Sequence, residues 1–410
     1  MNDITAPDEA KPLKKKPDIL IVAMMAISSF LIGGWVANRL IQQGPGRLIR
    51  TDSSFGWTFE VYSRMGTGLQ RADDVAFFSN GQRLAMTCPR YTKMTLWAAP
   101  AKPGSVPQPL KEIDLEGRPL RLVPYQDNVI VLQRPPGDDR HIKPAFIEVF
   151  SAEGEKVAGP VEIGWEPDDL ALVERDGRLY GLILLSGNAE GEDNRPNGSV
   201  NVVEIDPKSF QMKEISAAEI PDVKKLNQDP LRIVAGRFKT ENQAEKHLAM
   251  VTLGRQGAVR RLDWTDPTKL QWGEAISLPD GAEPVGAALD ATGKYLVTAD
   301  SKSGQAIALA LNDADPTKKM PAVLDSLKIS GLGTVAGMFH DLQVAVVSED
   351  ASKFGVLGAD YFIFQKLKGP YGFGSVRAMA VATYQADENT LLMAICDRTG
   401  GLHWAICRKQ

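Results

Sequence analysis

Repetition is the feature that most constrains this chain. Glu283 to Asn312, EPVGAALDATGKYLVTADSKSGQAIALALN, reads as three short apolar strands at 284–291, 295–300 and 305–312, separated by Ala-Thr-Gly-Lys and Ser-Lys-Ser-Gly turns. Gly293 can take positive φ and so closes a tight hairpin without steric cost. Degenerate copies of this unit recur after residue 55. Their first strands are expected at 73–79, 119–125, 167–174, 230–237, 284–291, 333–340 and 376–383, with starts roughly 43 to 63 residues apart. Proline opens four of them (Pro119, Pro167, Pro230, Pro284), at a position where a strand needs no ladder donor.

Second strands follow at 83–88, 129–133, 179–186, 247–253, 295–300, 343–348 and 390–396, and their near-continuous apolar runs suit packing on both faces. Third strands include 94–98, 145–150, 200–205, 259–264 and 305–311. Fourth strands at 110–115, 157–163, 213–217 and 270–278 are less apolar, as outer strands should be. Four strands per unit at this period is the signature of propeller blades. The last unit has only three strands, ending at 402–408, which would leave an open edge. An isolated strand at 56–63, GWTFEVYS, alternates in pattern and can fill it. The expected fold is an all-β, seven-bladed β-propeller closed by an N-terminal strand that completes the last blade, preceded by one transmembrane helix.

Two stretches carry a resemblance to known propellers. Asp74-Val75-Ala76-Phe77-Phe78-Ser79-Asn80-Gly81-Gln82-Arg83-Leu84-Ala85, followed by Thr95-Leu96-Trp97, resembles a WD40-type blade. Leu289-Asp290-Ala291-Thr292-Gly293-Lys294-Tyr295-Leu296 is similar to the hairpin turn shared by WD40-like, YVTN-type and quinoprotein-like propellers. The resemblance covers about 350 residues at the level of fold and implies a hairpin, not an activity. Trp97 is followed by Ala98, and the Gly-His and Trp-Asp dipeptides of WD40 repeats are absent, so no subfamily is implied.

The helix is expected from Ile19 to Ala37, ILIVAMMAISSFLIGGWVA, which holds no charge. Nineteen residues rising 1.5 Å each give about 28 Å, enough for the hydrocarbon core. Trp35 at the −3 position of the nearest small-residue site argues against signal cleavage. Clustered Lys11, Lys14, Lys15 and Lys16 favour a cytoplasmic N-terminus over the side bearing Arg39, Arg47 and Arg50. The expected organisation is a cytoplasmic tail (1–18), a transmembrane helix (19–41), a linker (42–54) and an extracytoplasmic propeller (55–410), periplasmic if bacterial. Ser29, Gly33 and Ala37 recur every four residues, a spacing that lets a second membrane helix approach closely.

Composition excludes several functions. A formal net charge of −4 offers no basic footprint for nucleic acid. Cys88, Cys396 and Cys407 lack C-x-x-C spacing, and the four histidines (His141, His247, His340, His403) form no zinc pattern, so no metal or cofactor is expected. Cys88 and Cys396 end second strands of neighbouring units and read either as buried apolar residues or as a disulfide across the closure. The polar loops at 186–199 and 135–141 read as solvated excursions, Glu190, Glu192 and Asp193 matching no calcium loop.

Charged residues at the starts of first strands are the candidates for the channel mouth: Asp73, Asp74, Arg121, Asp168, Asp169, Arg232 and His340. Asp73-Asp74 and Asp168-Asp169 read either as channel-rim residues in contact with solvent or as metal or acid–base pairs. The expected function is a membrane-anchored interaction or assembly module, an accessory subunit of a membrane complex with a membrane-protein partner. The alternative is a membrane-tethered propeller enzyme, a hydrolase or oxidoreductase with a metal or quinone in the channel.

Overall fold

The computed structural model describes residues 48–54, 57–62, 65–66, 72, 74–88, 90–100, 107–137, 143–186, 198–221, 230–239, 245–254, 256–278, 282–289, 295–300, 305–310, 323–328, 332–339, 343–348, 353–357, 362–366, 376–384, 387–397 and 401–409. The chain divides into two units at Gly44/Pro45, and the first lies outside the described residues.

Every regular element described is a strand. The first three are β1 (Leu48–Ser54), β2 (Trp57–Tyr62) and β3 (Met65–Gly66). Six four-stranded antiparallel sheets follow. The first is β4 (Asp74–Phe78), β5 (Arg83–Cys88), β6 (Lys93–Ala98) and β7 (Gln108–Asp114). The second is β8 (Arg118–Tyr125), β9 (Asn128–Arg134), β10 (Ala145–Ser151) and β11 (Lys156–Gly164). The third is β12 (Pro167–Arg175), β13 (Arg178–Leu185), β14 (Ser199–Ile205) and β15 (Met212–Glu219). The fourth is β16 (Pro230–Lys239), β17 (Glu245–Leu253), β18 (Ala258–Asp263) and β19 (Gln271–Ser277). The fifth is β20 (Pro284–Leu289), β21 (Tyr295–Asp300), β22 (Gln305–Ala310) and β23 (Val323–Lys328). The sixth is β24 (Leu332–Phe339), β25 (Gln343–Ser348), β26 (Lys353–Leu357) and β27 (Phe362–Lys366). The chain ends with β28 (Val376–Tyr384), β29 (Asp387–Asp397) and β30 (Gly401–Lys409), in a sheet of order β1-β2-β30-β29-β28 with β3 also on β30.

Hydrogen-bonded ladders run within each sheet and none joins one sheet to the next among the described residues. Instead the first strands β4, β8, β12, β16, β20, β24 and β28 each touch the next, and β28 touches β4. The cores sit in the seams between sheets. Along β13, Leu179, Ile183 and Leu185 pack toward the second sheet, while Tyr180, Leu182 and Leu184 pack toward the fourth. β5, β9 and β17 divide their side chains the same way. A strand whose alternate side chains enter two different cores must be apolar on both faces, which explains the unbroken hydrophobic runs of the second strands. Hairpins are closed by residues able to take positive φ, such as Asp176 (50°) and Gly177 (73°) between β12 and β13.

Several expectations need correction. The expected transmembrane helix, residues 19–41, with its packing residues Ser29, Gly33 and Ala37, lies outside the described residues. Among the described residues no helix is long and apolar enough to cross a membrane. Single-pass anchoring, an extracytoplasmic propeller and a membrane-bound partner are therefore withdrawn, as is a fold that includes such a helix. An uncharged run of sufficient length is necessary for a span and does not by itself establish one. What the sheets support is a propeller-like, all-β arrangement. The linker expected at 42–54 is also revised, because Leu48–Ser54 forms β1, paired with β2 from Leu48↔Tyr62 to Ser54↔Trp57.

Candidate functional site

The first strand of every sheet after the first enters its ladder through the same irregularity. In the second to fifth sheets, register shifts by one residue between Pro119 and Arg121, Pro167 and Asp169, Pro230 and Arg232, and Pro284 and Gly286. The sixth sheet and β28 shift likewise between Leu332 and Thr334 and between Val376 and Ala378. The shift occurs with or without proline, so the bulge belongs to strand entry itself; proline, which cannot donate to the ladder, is tolerated at that position. The residues that follow these bulges, together with Asp74 of β4, occupy equivalent register positions. Read in order they are Asp74, Arg121, Asp169, Arg232, Gly286, Thr334 and Ala378. Charge alternates over the first four; the last three are uncharged.

The charged four make an arc stitched across sheets. Arg121 Nη1 donates to Asp74 Oδ1 at 3.1 Å and Arg121 Nε donates to Asp169 Oδ1 at 2.9 Å, so one guanidinium of the second sheet holds carboxylates of the first and third. Each carboxylate also accepts from the backbone of the following sheet: Leu122 N–H donates to Asp74 Oδ2 at 2.7 Å, and Ile233 N–H to Asp169 Oδ2 at 3.1 Å. Leu170 N–H completes the set on Asp169 Oδ1 at 3.0 Å. Asp74 and Asp169 are about as buried as the apolar residues beside them, at 4% and 3% exposure.

Electrostatics separate the two arginines. Burial lowers the proton affinity of Arg121, but the Asp169 and Asp74 carboxylates outweigh it and hold the guanidinium above its ordinary value. For Arg232 the balance reverses. Burial and repulsion from Arg121 together exceed the attraction of Asp169, Asp74 and Asp168, and its proton affinity falls.

The structure thus brings together five of the seven candidate residues. Asp74, Arg121 and Asp169 are in direct contact, with Arg232 and the bulge residue Asp168 within their field. Asp73 and His340 lie outside the described residues. Asp74 and Asp169 differ from the solvated rim residues expected of strand starts, because the next sheet's first N–H groups need acceptors there and the carboxylates turn inward to supply them. Among the described residues no group of three His, Cys, Asp or Glu side chains is placed to hold a metal ion. Cys88 and Cys396 are buried in the seam between the last and first sheets. The register sets Cys396 opposite Leu402 and Cys407 opposite Leu391.

A second polar network was not anticipated from the sequence. Gln133, fully buried in β9, accepts from Gly117 N–H at 2.8 Å and donates to Glu148 Oε2 at 2.6 Å. Lys156 then reaches Glu148 Oε1 at 2.6 Å and Glu116 at 2.5 Å, and its proton affinity rises chiefly through the Glu116 bond and then the Glu148 bond. Lone polar residues inside apolar runs, Gln133 in NVIVLQR and Glu148 in AFIEVFS, were the available signal.

No protein-family model matches the sequence, and no curated protein does. Solved structures do. The β-propeller domain of Swd1 from Myceliophteria thermophila aligns at a TM-score of 0.54 and 10% identity, over 88% of this chain and 99% of that one. Raptor from Chaetomium thermophilum aligns at 0.54 and 11%, over 85% of this chain but only 29% of its own. A putative 6-phosphogluconolactonase from Bacteroides fragilis aligns at 0.50 and 13%, over 79% and 94%. At such identities the likeness concerns fold alone, and the fold it shows is propeller-like.

Proposed function

We propose that the β-sheet unit is a protein-interaction module, a rigid frame whose inter-strand loops are its contact surface. The observation that carries this reading is the internal commitment of the arc. Both oxygens of Asp74 and both oxygens of Asp169 already accept from Arg121 or from backbone N–H groups. A general base or a metal ligand must be reachable by substrate or ion, and Asp74 and Asp169 are only 4% and 3% exposed. These carboxylates instead hold four consecutive sheets in register, which is the work of a frame. The likeness to the β-propeller domain of Swd1 concerns the fold, and a rigid propeller-like frame with loops at its surface suits such a role.

Native purification of the full chain, followed by quantitative mass spectrometry, tests the proposal. The expected result is a polypeptide retained at constant stoichiometry through two orthogonal columns, and lost when the exposed turns Asn80–Gln82 and Asp206–Ser209 are replaced by Gly-Ser sequences. Turnover of a phosphogluconolactone by the purified chain, abolished by Asp169→Asn in protein that keeps its fold, would overturn it.

A further inference from the structure

The seam between the third and fourth sheets holds a titratable group that the arc does not use. His247 lies in β17 at 4% exposure, with its ring 5.1 Å from that of Trp264, which in turn faces Tyr180 of β13 at 5.9 Å. The histidine backbone grips the turn after β18: its N–H donates to Thr265 Oγ1 at 3.0 Å and its carbonyl accepts from Trp264 N–H at 3.0 Å. The third sheet is fastened to this same turn. Arg175 Nη1 donates to the Thr265 carbonyl at 2.6 Å, and Ser216 Oγ to the Pro267 carbonyl at 2.5 Å. Residues 264–267 are therefore shared between His247 and the neighbouring sheet.

The imidazole itself is unevenly satisfied. Nε2 lies 3.3 Å from Glu245 Oε1, while Nδ1 is buried with no hydrogen-bond partner. A neutral ring with its proton on Nε2 leaves only a weak acceptor bare. A second proton would place an N–H, and a charge, where no acceptor waits. The charged groups around it are Arg175 and Asp176 from the third sheet, Arg237 from β16, and Glu245 from β17, with the Lys246–Asp263 pair alongside. Burial first, and Arg175 next, hold the proton affinity of His247 below that of a free imidazole, against the pull of Glu245.

We propose that the junction of the third and fourth sheets is an acid-sensitive joint, in which protonation of His247 loosens the 264–267 turn from the third sheet. The sign follows from linkage. The opened state titrates near the ordinary histidine value of about 6.5 and the native state lower, so opening takes up a proton in between. The joint is fully closed above about pH 6.5 and weakens as pH falls toward the native value, by about tenfold in its opening equilibrium per pH unit.

Hydrogen exchange of the full chain at pH 7.5, 6.5 and 5.5, expressed as protection factors, tests this. Amides of β13 and β17 should lose protection below pH 6.5 by up to about tenfold per unit, while those of β5 and β9 hold theirs. His247→Gln, which keeps a donor toward Glu245 but cannot charge, should remove that response. An identical acid response in His247→Gln, or a uniform response across all seams, would overturn the proposal. Should the variant fail to fold, an NMR titration of the wild-type imidazole decides: a midpoint below 6.5 supports the joint, and one at or above 6.5 rejects it.

Discussion

Arg121 joins three sheets through one side chain, and its removal isolates the strongest claim at residue scale. Arg121→Met would leave the Asp74 and Asp169 carboxylates, whose side chains are 6% and 4% exposed, without their shared cation. Breaking a buried pair from one side typically costs about 3–5 kcal/mol. By contrast, Lys111→Ala removes an exposed bridge to Glu155 and should cost about 0–1 kcal/mol. Urea midpoints of the two variants compare them directly, and equal losses would show that the arc contributes no more than a surface pair. Gly117→Ala tests the second network. An added Cβ would sit 2.6 Å from the Arg134 carbonyl oxygen and 2.7 Å from the Phe146 ring, so overpacking should destabilise by about 1–3 kcal/mol in the same assay. All four charged members of the arc were visible in the sequence as polar residues at the starts of apolar strands. Their mutual pairing was not, because Asp74, Arg121 and Asp169 stand 47 and 48 residues apart and only the equivalent register positions of their first strands bring them into line. His247 carried no signal at all: a lone histidine heading an apolar strand acquires its role from Trp264 and Arg175, which other strands deliver.

At the scale of elements, the proline-led first strands were legible because proline marks a strand start, where a bulge leaves no ladder donor to lose; Leu332 and Val376, at the same bulge, carry no such mark. The polar strand β1, LIRTDSS, was not. Its composition matches a tether, and what makes it a strand is β2 beside it. That β2 is itself held to β30 by a forked ion pair: Arg408 Nη1 and Nη2 donate to Glu60 Oε1 and Oε2 at 2.5 and 3.4 Å, and Tyr62 Oη donates to Glu60 Oε2 at 3.1 Å. Bidentate pairs of this kind are the stronger class of side-chain hydrogen bond. Arg408→Ala should lower stability by about 1–3 kcal/mol and raise hydrogen exchange in β1 and β2 first. Loss of protection spread evenly over all sheets would contradict that local role. The expected membrane helix rested on hydropathy and length alone, and its residues lie outside those described.

For the sheet unit as a whole, period and strand count conveyed the propeller-like architecture, while the division of the second strands β5, β9, β13 and β17 between two cores explains why degenerate sequences can build similar sheets. In those strands no single residue type is required; only apolar character on both faces is. The arrangement depends on one long-range pairing, in which the first and last parts of the unit share a sheet. The register places Phe59 opposite Cys407, and opposed residues of an antiparallel pair stand about 4.5–5.5 Å apart at Cα, within reach of a disulfide. Mild oxidation of a Phe59→Cys variant, with Cys88 and Cys396 changed to alanine, followed by peptide mapping, is the most direct measurement. The account predicts a cross-linked peptide pair containing residues 59 and 407 in protein that keeps its fold. Two free thiols in folded protein after oxidation, or a cross-link formed only between molecules, would contradict it.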